Sequence, residues 1–324
     1  MENLKAAVIG CGNIAPIHIA AINSCENAEL YAVCDTDRER ANSFAEKYGV
    51  KAVYDYEKVL GDPEVKVVHI CTPHWLHEPM AVAAADTGKH IFLEKPAGLS
   101  TQEIKSIAAA VADNNVKCCV SFQNRQNPSI KYIKEHADEL GKLIGIKGVL
   151  AWHRTMDYYN SGEWRGKWET EGGGLMVNQA IHTLDLLCYI GGEVESAKGF
   201  CARRLLDIEV EDTAECFIRF KSGATGIFFA TNNFSTDSTV DIEMHFETGI
   251  YRYINNSLYD GSYNVIVSDD INTPGKCYWG TGHKELITNF YKNLTGEDAV
   301  YWDITEALSS MAVIEEIYKN KENC

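Results

Sequence analysis

Nowhere in the 324 residues does an apolar run continue far enough to span a membrane. Cysteine patterning is missing too: of eleven cysteines only Cys118 and Cys119 are adjacent, and no CxxC occurs. Without a secretory leader pattern, these thiols are expected to be reduced and buried in a cytoplasmic protein. The ten histidines lack HxH or HxxxH spacing, so no metal centre is expected. Basic charge is scarce, 30 Lys and Arg against 46 Asp and Glu, for a formal net charge of −16. That balance argues against nucleic acid or an anionic membrane surface as partner. No internal repeat and no low-complexity linker breaks the chain. What remains is an ordinary soluble composition, 45% hydrophobic and 23% charged, on a chain too long for one comfortable core. Two domains are expected.

The first third carries a dinucleotide-binding pattern. "KAAVI" (5–9) is a short strand, and "GCGNIA" follows with Gly10, Gly12 and Ala15 in G-x-G-x-x-A spacing; Asn13 and Ile14 complete the turn. "PIHIAAINSC" then reads as a helix. Gly10 permits a tight turn, Gly12 lets a pyrophosphate approach the backbone, and Ala15 lets helix and strand pack closely. The amides at the helix start face the anion. The next strand, "AELYAVCD", ends in Asp35, twenty positions past Ala15, where a carboxylate binds the adenosine ribose hydroxyls. A 2′-phosphate would meet that charge, so NAD is expected rather than NADP, with Arg38 near enough to compete for a phosphate. Asp35 or Asp37 can also cap the helix that follows.

Strands and helices go on alternating through "VKVVHIC", "HEPMAVAAADTG", "KHIFLE", "STQEIKSIAAAVADNN" and "VKCCVSF". That rhythm predicts a doubly wound parallel sheet, with ligands at the carboxyl ends of its strands. "TPHWLH" (72–77), "EKP" (94–96) and "QNR" (123–125) fall at such ends, as Asp35 does.

Beyond Leu143 the segments lengthen and alternate, as in "DTAECFIRFKSGATGIFFATNN". They predict an antiparallel sheet with one face left for a partner subunit or substrate, and a hairpin at Ser222-Gly223. Two helices, "HKELITNFYKNLTG" and "ITEALSSMAVIEEIYKNK", close the chain. Trp152, His153, Arg154, Tyr158, Tyr159, Trp164, Arg165 and Trp168 cluster ahead of "GGGLMVNQAIHTLD" (172–185). Aromatic faces stack on sugar C–H surfaces and Arg or His binds hydroxyls, so this cluster reads as a carbohydrate lining, with Arg165 marked for cofactor or substrate contact. In the glycine-led stretch, spacing puts Asn178, His182 and Asp185 on one helical face. His182 suits a general base, with Asp185 holding its orientation. The three glycines would let the chain pass close to a ligand and leave helix amides open.

"GCGNIA", "TPHWLHEPMAVAAADTGKHIFLEKPAGLS" and "EGGGLMVNQAIHTLDLL", in that order, resemble the glucose–fructose oxidoreductase, inositol dehydrogenase and rhizopine-catabolism (Gfo/Idh/MocA) family. The resemblance implies a Rossmann domain (1–122) that binds NAD. It also implies an α/β substrate domain (123–324) with a large, mostly antiparallel open sheet, through which homodimers or homotetramers form. It implies hydride transfer between NAD and a secondary hydroxyl or ketone of a sugar, polyol or sugar derivative. By position, Lys95 becomes a catalytic lysine beside the nicotinamide and His182 the catalytic histidine. Glu94 would bind the nicotinamide ribose, Thr72 and Pro73 would line the cofactor with His77 close by, and Asn124 would touch the cofactor. Arg125, His153, Tyr158 and Trp164 are expected at the substrate. Asn178 is expected with Lys95 and His182 among the catalytic and substrate-binding residues; it stands where many inositol-type members carry Asp, and an amide cannot take a proton at neutral pH. The fold and cofactor therefore transfer, and the inositol substrate does not. Two other functions fit the same residues: a glycosidase or lyase that oxidises its sugar transiently on bound NAD, and a non-catalytic NAD-binding sugar sensor.

Overall fold

The computed structural model describes residues 3–269 and 282–319. The chain divides into two units, the first comprising residues 1–98, 102–121 and 283–306, the second residues 99–101, 122–282 and 307–324.

The first unit is built on a six-stranded sheet of β1 (Leu4–Ile9), β2 (Ala28–Cys34), β3 (Lys51–Val53), β4 (Val67–Ile70), β5 (His90–Leu93) and β6 (Cys118–Val120). Its order is β3-β2-β1-β4-β5-β6 and every pairing is parallel. This is the doubly wound arrangement, with its topological switch between β1 and β4. Both faces are covered, so Ala6 to Val8 and Val67 to Ile70 are solvent-free, and all of them but His69 are apolar.

The expected boundary at residue 122 is crossed a second time. The helix Gly282–Leu294, expected in the second domain, lies almost wholly in the first unit. Leu286, Ile287, Phe290 and Tyr291 are fully buried there with Val8, Ile19 and Ile22. The backbone then runs beside β6, where the Val120 amide donates to the Trp302 carbonyl at 2.9 Å.

The second unit holds an eight-stranded sheet of β7 (Leu143–Ala151), β8 (Val194–Ala202), β9 (Thr213–Phe220), β10 (Thr225–Thr231), β11 (Asp241–Phe246), β12 (Gly249–Ile254), β13 (Ser257–Tyr259) and β14 (Val265–Ser268). The order is β14-β13-β12-β11-β7-β10-β9-β8. Only β7 and β10 run parallel. The β9–β10 hairpin turns at Gly223, whose φ of +90° few other residues adopt. The helices Ile181–Gly191 and Leu308–Tyr318 cover one face. Alternation decides the rest: Ile218, Phe228 and Ala230 point inward, while Phe217, Ile227 and Phe229 are exposed on the other face. Among the described residues no helix is long and apolar enough to cross a membrane.

Candidate active site

In the first unit the glycine turn does two separate jobs. Gly10 has φ +96°, and a Cβ there would sit 2.6 Å from the Cys71 carbonyl at the end of β4. Gly12 faces open space, with nothing within 4 Å of the Cβ it lacks. The helix Ala15–Ser24 carries Pro16 in its first turn and no side-chain cap. An open glycine beside uncapped helix amides fits a pyrophosphate. Asp35 braces this turn: its carboxylate accepts from the Cys11 amide at 2.9 Å and from the Asp37 amide at 2.9 Å. Capping falls to Asp37, which accepts from the Arg40 amide at 3.1 Å. The arginine that reaches Asp35 is Arg40, at 3.3 Å, whereas Arg38 stacks on Tyr54.

At the ends of β4 and β5, two expected ligand contacts are turned into the protein. His77 is fully buried, with Nδ1 2.6 Å from the Pro96 carbonyl and Nε2 2.9 Å from the Thr72 carbonyl. It ties the Thr72 segment to the Lys95-Pro96 turn, so cofactor contact by this ring gives way to bracing. Burial holds the imidazole below its ordinary range against the pull of both carbonyls. Glu94 is buried as well. One oxygen lies 3.0 Å from His18 Nε2 and 3.8 Å from His283 Nε2, and the other accepts from the Lys95 amide at 3.3 Å. Burial pushes its carboxyl up, but the His18 hydrogen bond and the closeness of His18 and His283 outweigh that and hold it well below the usual range. Behind it, His18 Nδ1 meets His69 Nδ1 at 3.0 Å and His69 Nε2 meets the Tyr291 hydroxyl at 2.9 Å. His18, Glu94 and His283 are near enough to be weighed as metal ligands, yet this hydrogen-bonded chain already accounts for the His18–Glu94 pairing. Thr72 and Pro73 are half-buried beside the turn.

In the second unit the triple glycine serves the interior. The Gly174 amide donates to Glu211 at 2.9 Å, the Met176 amide at 2.8 Å, and the Tyr318 hydroxyl at 2.8 Å. A Cβ on Gly173 would sit 2.1 Å from the Tyr318 hydroxyl, and one on Gly174 2.2 Å from the Glu211 carbonyl. The glycines therefore admit a buried carboxylate and its tyrosine, and the helix amides expected to stay open are taken by Glu211.

Burial pushes Glu211 up to about 7, against the opposing pull of its donors. The unfolded chain releases this proton near the ordinary 4.5, ahead of the folded one. Stability is thus fully present below about pH 4.5 and is lost as the pH rises towards 7, by at most about 3 kcal/mol at ~1.4 kcal/mol per pH unit. Urea midpoints at pH 5, 6 and 7 should fall in that order, and Glu211→Gln should flatten the trend. A midpoint that rises with pH in both proteins would contradict this assignment.

The helix that opens at Leu175 closes at Asn178, and a second one starts at Ile181. Across the break the Ala180 amide reaches back five residues to the Leu175 carbonyl, at 2.8 Å. Asn178 and His182 therefore do not share one continuous α-helical face, contrary to the spacing argument. Asn178 Nδ2 donates to Glu171 at 2.5 Å and to the Tyr158 hydroxyl at 3.2 Å. His182 is half-buried in the first turn of its helix. Asp185, expected to steady that imidazole, accepts from Arg125 Nε at 2.8 Å and Nη2 at 2.7 Å. Arg125 is itself buried, its guanidinium over the Phe122 and Tyr189 rings. The substrate contact expected of Arg125 becomes an internal ion pair.

The aromatic cluster does assemble in part. Arg165 donates to the Tyr158 hydroxyl at 2.7 Å and lies over the Tyr158 and Trp164 rings. Gln179 donates to that hydroxyl at 2.9 Å and accepts from Asn232 at 3.3 Å. His153 stands apart, exposed, with Nδ1 2.8 Å from the Phe234 carbonyl. Asn124 is half-buried, and its Oδ1 finds no hydrogen-bond partner among the described residues. Glu171 and Glu211 escaped the sequence reading, because nothing local marks an acid that will be buried.

Residues 4–122 match the family model for the NAD-binding Rossmann fold of the GFO/IDH/MocA oxidoreductases, and residues 133–252 match that family's C-terminal domain. The scyllo-inositol 2-dehydrogenase (NAD(+)) of Bacillus subtilis is 34% identical over 69% of this chain and 66% of its own. The levoglucosan dehydrogenase of Pseudarthrobacter phenanthrenivorans is 26% identical over 78% and 74%. Among solved structures, the WlbA dehydrogenase of Bordetella pertussis, in complex with NADH and UDP-GlcNAcA, is similar with a TM-score of 0.90 and 27% identity, over 99% of this chain and 96% of that one.

Proposed function

The chain belongs to the GFO/IDH/MocA oxidoreductase family, and from that premise we propose that it oxidises a secondary hydroxyl of a sugar, polyol or sugar derivative with NAD, or reduces the ketone. The observation that carries this reading is the glycine turn, pinned at Gly10, open at Gly12 and braced by Asp35. When bound, NAD supplies the hydride acceptor, and NADH the donor in reverse. Gly12, Asn13, Ile14 and the start of the Ala15–Ser24 helix would hold the pyrophosphate, and Asp35 the adenosine ribose. His182 takes the hydroxyl proton onto its imidazole. The Lys95 ammonium stabilises the negative charge that grows on that oxygen. Glu94, kept ionised by its histidines, anchors the Lys95 amide. Free buried thiols, nine among the described residues, fit a reducing, cytoplasmic setting.

An absorbance screen for NADH over sugars, polyols, sugar acids and glycosides tests the reading. Cleavage of a glycoside with no release of NADH would move it to elimination or hydrolysis chemistry. NAD is expected to bind at least about tenfold more tightly than NADP, since a 2′-phosphate beside Asp35 meets a like charge. Calorimetric titration of both cofactors, with Asp35→Asn as the relaxed variant, checks this; tighter NADP binding would point to Arg40 as a phosphate ligand.

Subunits are proposed to meet on the exposed sheet face that carries Phe217, Ile227 and Phe229. Light scattering should find a dimer or tetramer, and Phe217→Lys with Ile227→Glu should shift it to monomer. A wild-type monomer at micromolar concentration would discard that interface.

A further inference from the structure

Glu94 ends a chain of hydrogen bonds that runs through the interior of the first unit. Its Oε1 meets His18 Nε2 at 3.0 Å, His18 Nδ1 meets His69 Nδ1 at 3.0 Å, and His69 Nε2 meets the Tyr291 hydroxyl at 2.9 Å. The groups come from the helix Ala15–Ser24, β4, the end of β5 and the helix Gly282–Leu294. His18, His69 and Tyr291 have no exposed surface. Each ring uses both nitrogens, so turning either one over would put C–H groups in their places.

Three hydrogen bonds need three protons. Neutral His18, neutral His69 and the Tyr291 phenol supply them when Glu94 is a carboxylate. All then point one way: Tyr291 donates to His69 Nε2, His69 Nδ1–H to His18 Nδ1, and His18 Nε2–H to Glu94. The reverse order with the same protons requires a tyrosinate, and burial pushes that phenol well above its ordinary range. A fourth proton entering on Oε1 or on either ring turns the bonds outward to Tyr291. The Tyr291 O–H is then left without an acceptor, since His69 is its hydrogen-bond partner among the described residues. A fourth proton on Oε2 of Glu94 instead faces the Lys95 amide, itself a donor at 3.3 Å. A stranded buried donor is costly, so the chain resists the extra proton and keeps one net negative charge on Glu94.

The ionisable groups around Glu94 leave that charge in place. Burial keeps the His77 and His283 imidazoles low, and it keeps the Cys71 and Cys119 thiols high. His283 Nε2, 3.8 Å from Oε1, lies beyond hydrogen-bond reach and has no partner among the described residues. At the far end, burial keeps the Cys25 thiol near Tyr291 high as well.

We propose that His18, His69 and Tyr291 are positioning residues that lock Glu94 as an anion, and that this fixed charge biases the site towards oxidised nicotinamide, whose ring is cationic, over the uncharged reduced ring. This rests on the oxidoreductase reading, which sets Lys95 at the reacting hydroxyl and so places its neighbour Glu94 beside the redox centre. The bias loosens NADH once hydride has been transferred. It therefore suits turnover with release of the cofactor and not chemistry on a permanently bound NAD.

Tyr291→Phe and Glu94→Gln test the two halves. In the full chain with 15N-labelled histidine and no ligand, the ring whose signals change most in Tyr291→Phe identifies His69. In the wild type that ring should hold the Nδ1–H tautomer from pH 8 to pH 5. In Tyr291→Phe no phenol proton is left to strand, so the ring should pass to the Nε2–H tautomer as the pH falls through that window. Oxidised NAD titrated by calorimetry and NADH by fluorescence read the bias. Glu94→Gln should weaken oxidised NAD about tenfold relative to NADH. Tyr291→Phe should match the wild type at pH 8 and move towards Glu94→Gln at pH 5.5. An Nε2–H tautomer in the wild type, or a wild-type switch in the same window, overturns the chain. So does one equivalent of added zinc bound to these rings, because the metal takes the nitrogen that must donate to Glu94. The expected tautomers with an unchanged affinity ratio in Glu94→Gln overturn the bias. Wild-type protein that binds neither cofactor refutes the oxidoreductase reading and the bias with it, while the tautomer still decides the chain.

Discussion

Replacing His182 by alanine should lower kcat by about 10²–10⁴, the range that a positioned proton acceptor contributes. Replacing Lys95 by alanine should cost about 10²–10³, as removal of a fixed charge from a developing oxyanion does elsewhere. In both variants the affinity for NAD should stay within about threefold of wild type, because neither residue is assigned to the adenosine half of the cofactor. The two losses should also differ in their dependence on pH. The limb of the wild-type kcat/KM–pH profile that reports the proton acceptor should vanish in His182→Ala and persist in Lys95→Ala. Lys95→Arg should not rescue, since a planar guanidinium is no substitute for a compact ammonium at one oxygen. Steady-state kinetics on the best substrate from the screen, with cofactor titration by NADH fluorescence, measure all of this. Near-normal kcat in either alanine variant would remove that residue from the mechanism.

Arg125 and Asp185 should give the largest loss of stability. Their guanidinium and carboxylate are nearly solvent-free and meet through two hydrogen bonds of 2.7 and 2.8 Å. Removing one partner strands a buried charge, so Arg125→Met or Asp185→Ala is expected to cost about 3–5 kcal/mol. Replacing both at once, Arg125→Met with Asp185→Leu, should restore most of that, because the desolvation cost disappears with the pair. Urea unfolding followed by tryptophan fluorescence reports it directly, since Trp152, Trp164 and Trp168 lie in the same unit. A single variant within about 1 kcal/mol of wild type would mean that water reaches the stranded charge.

The legible parts of the chain share a property. Gly10, Gly12 and Asp35 were legible as one turn because the glycine conformation and the end of β2 are set within a few dozen residues. The β9–β10 hairpin was legible for the same reason, with alternation on both sides and Gly223 between. The cluster around Tyr158 was visible only as composition. Its aromatics were in plain view, but the convergence of Arg165, Asn178 and Gln179 on one hydroxyl depends on a helix that breaks at Asn178. Spacing alone made that helix continuous. Asp185 was misassigned through the same assumption: one turn from His182 in sequence, it was given to the nearest histidine, and its partner turned out to be Arg125, sixty residues away.

By itself the sequence determined the type and order of the elements, the parallel sheet with its dinucleotide turn, and the family. The elements and the turn follow from hydrophobic period and from backbone conformations that glycine favours, both local, and the family from the resemblance carried by its ordered motifs. The tertiary structure alone decided that the segment 283–306 completes the first unit and that the triple glycine houses Glu211. It also decided that His77 and Glu94 are held from within, and that Asn178 faces a carboxylate. The physical reason is desolvation. A charged or polar side chain carries no sign in sequence of whether it will be buried, and once buried it must find a partner wherever the fold brings one.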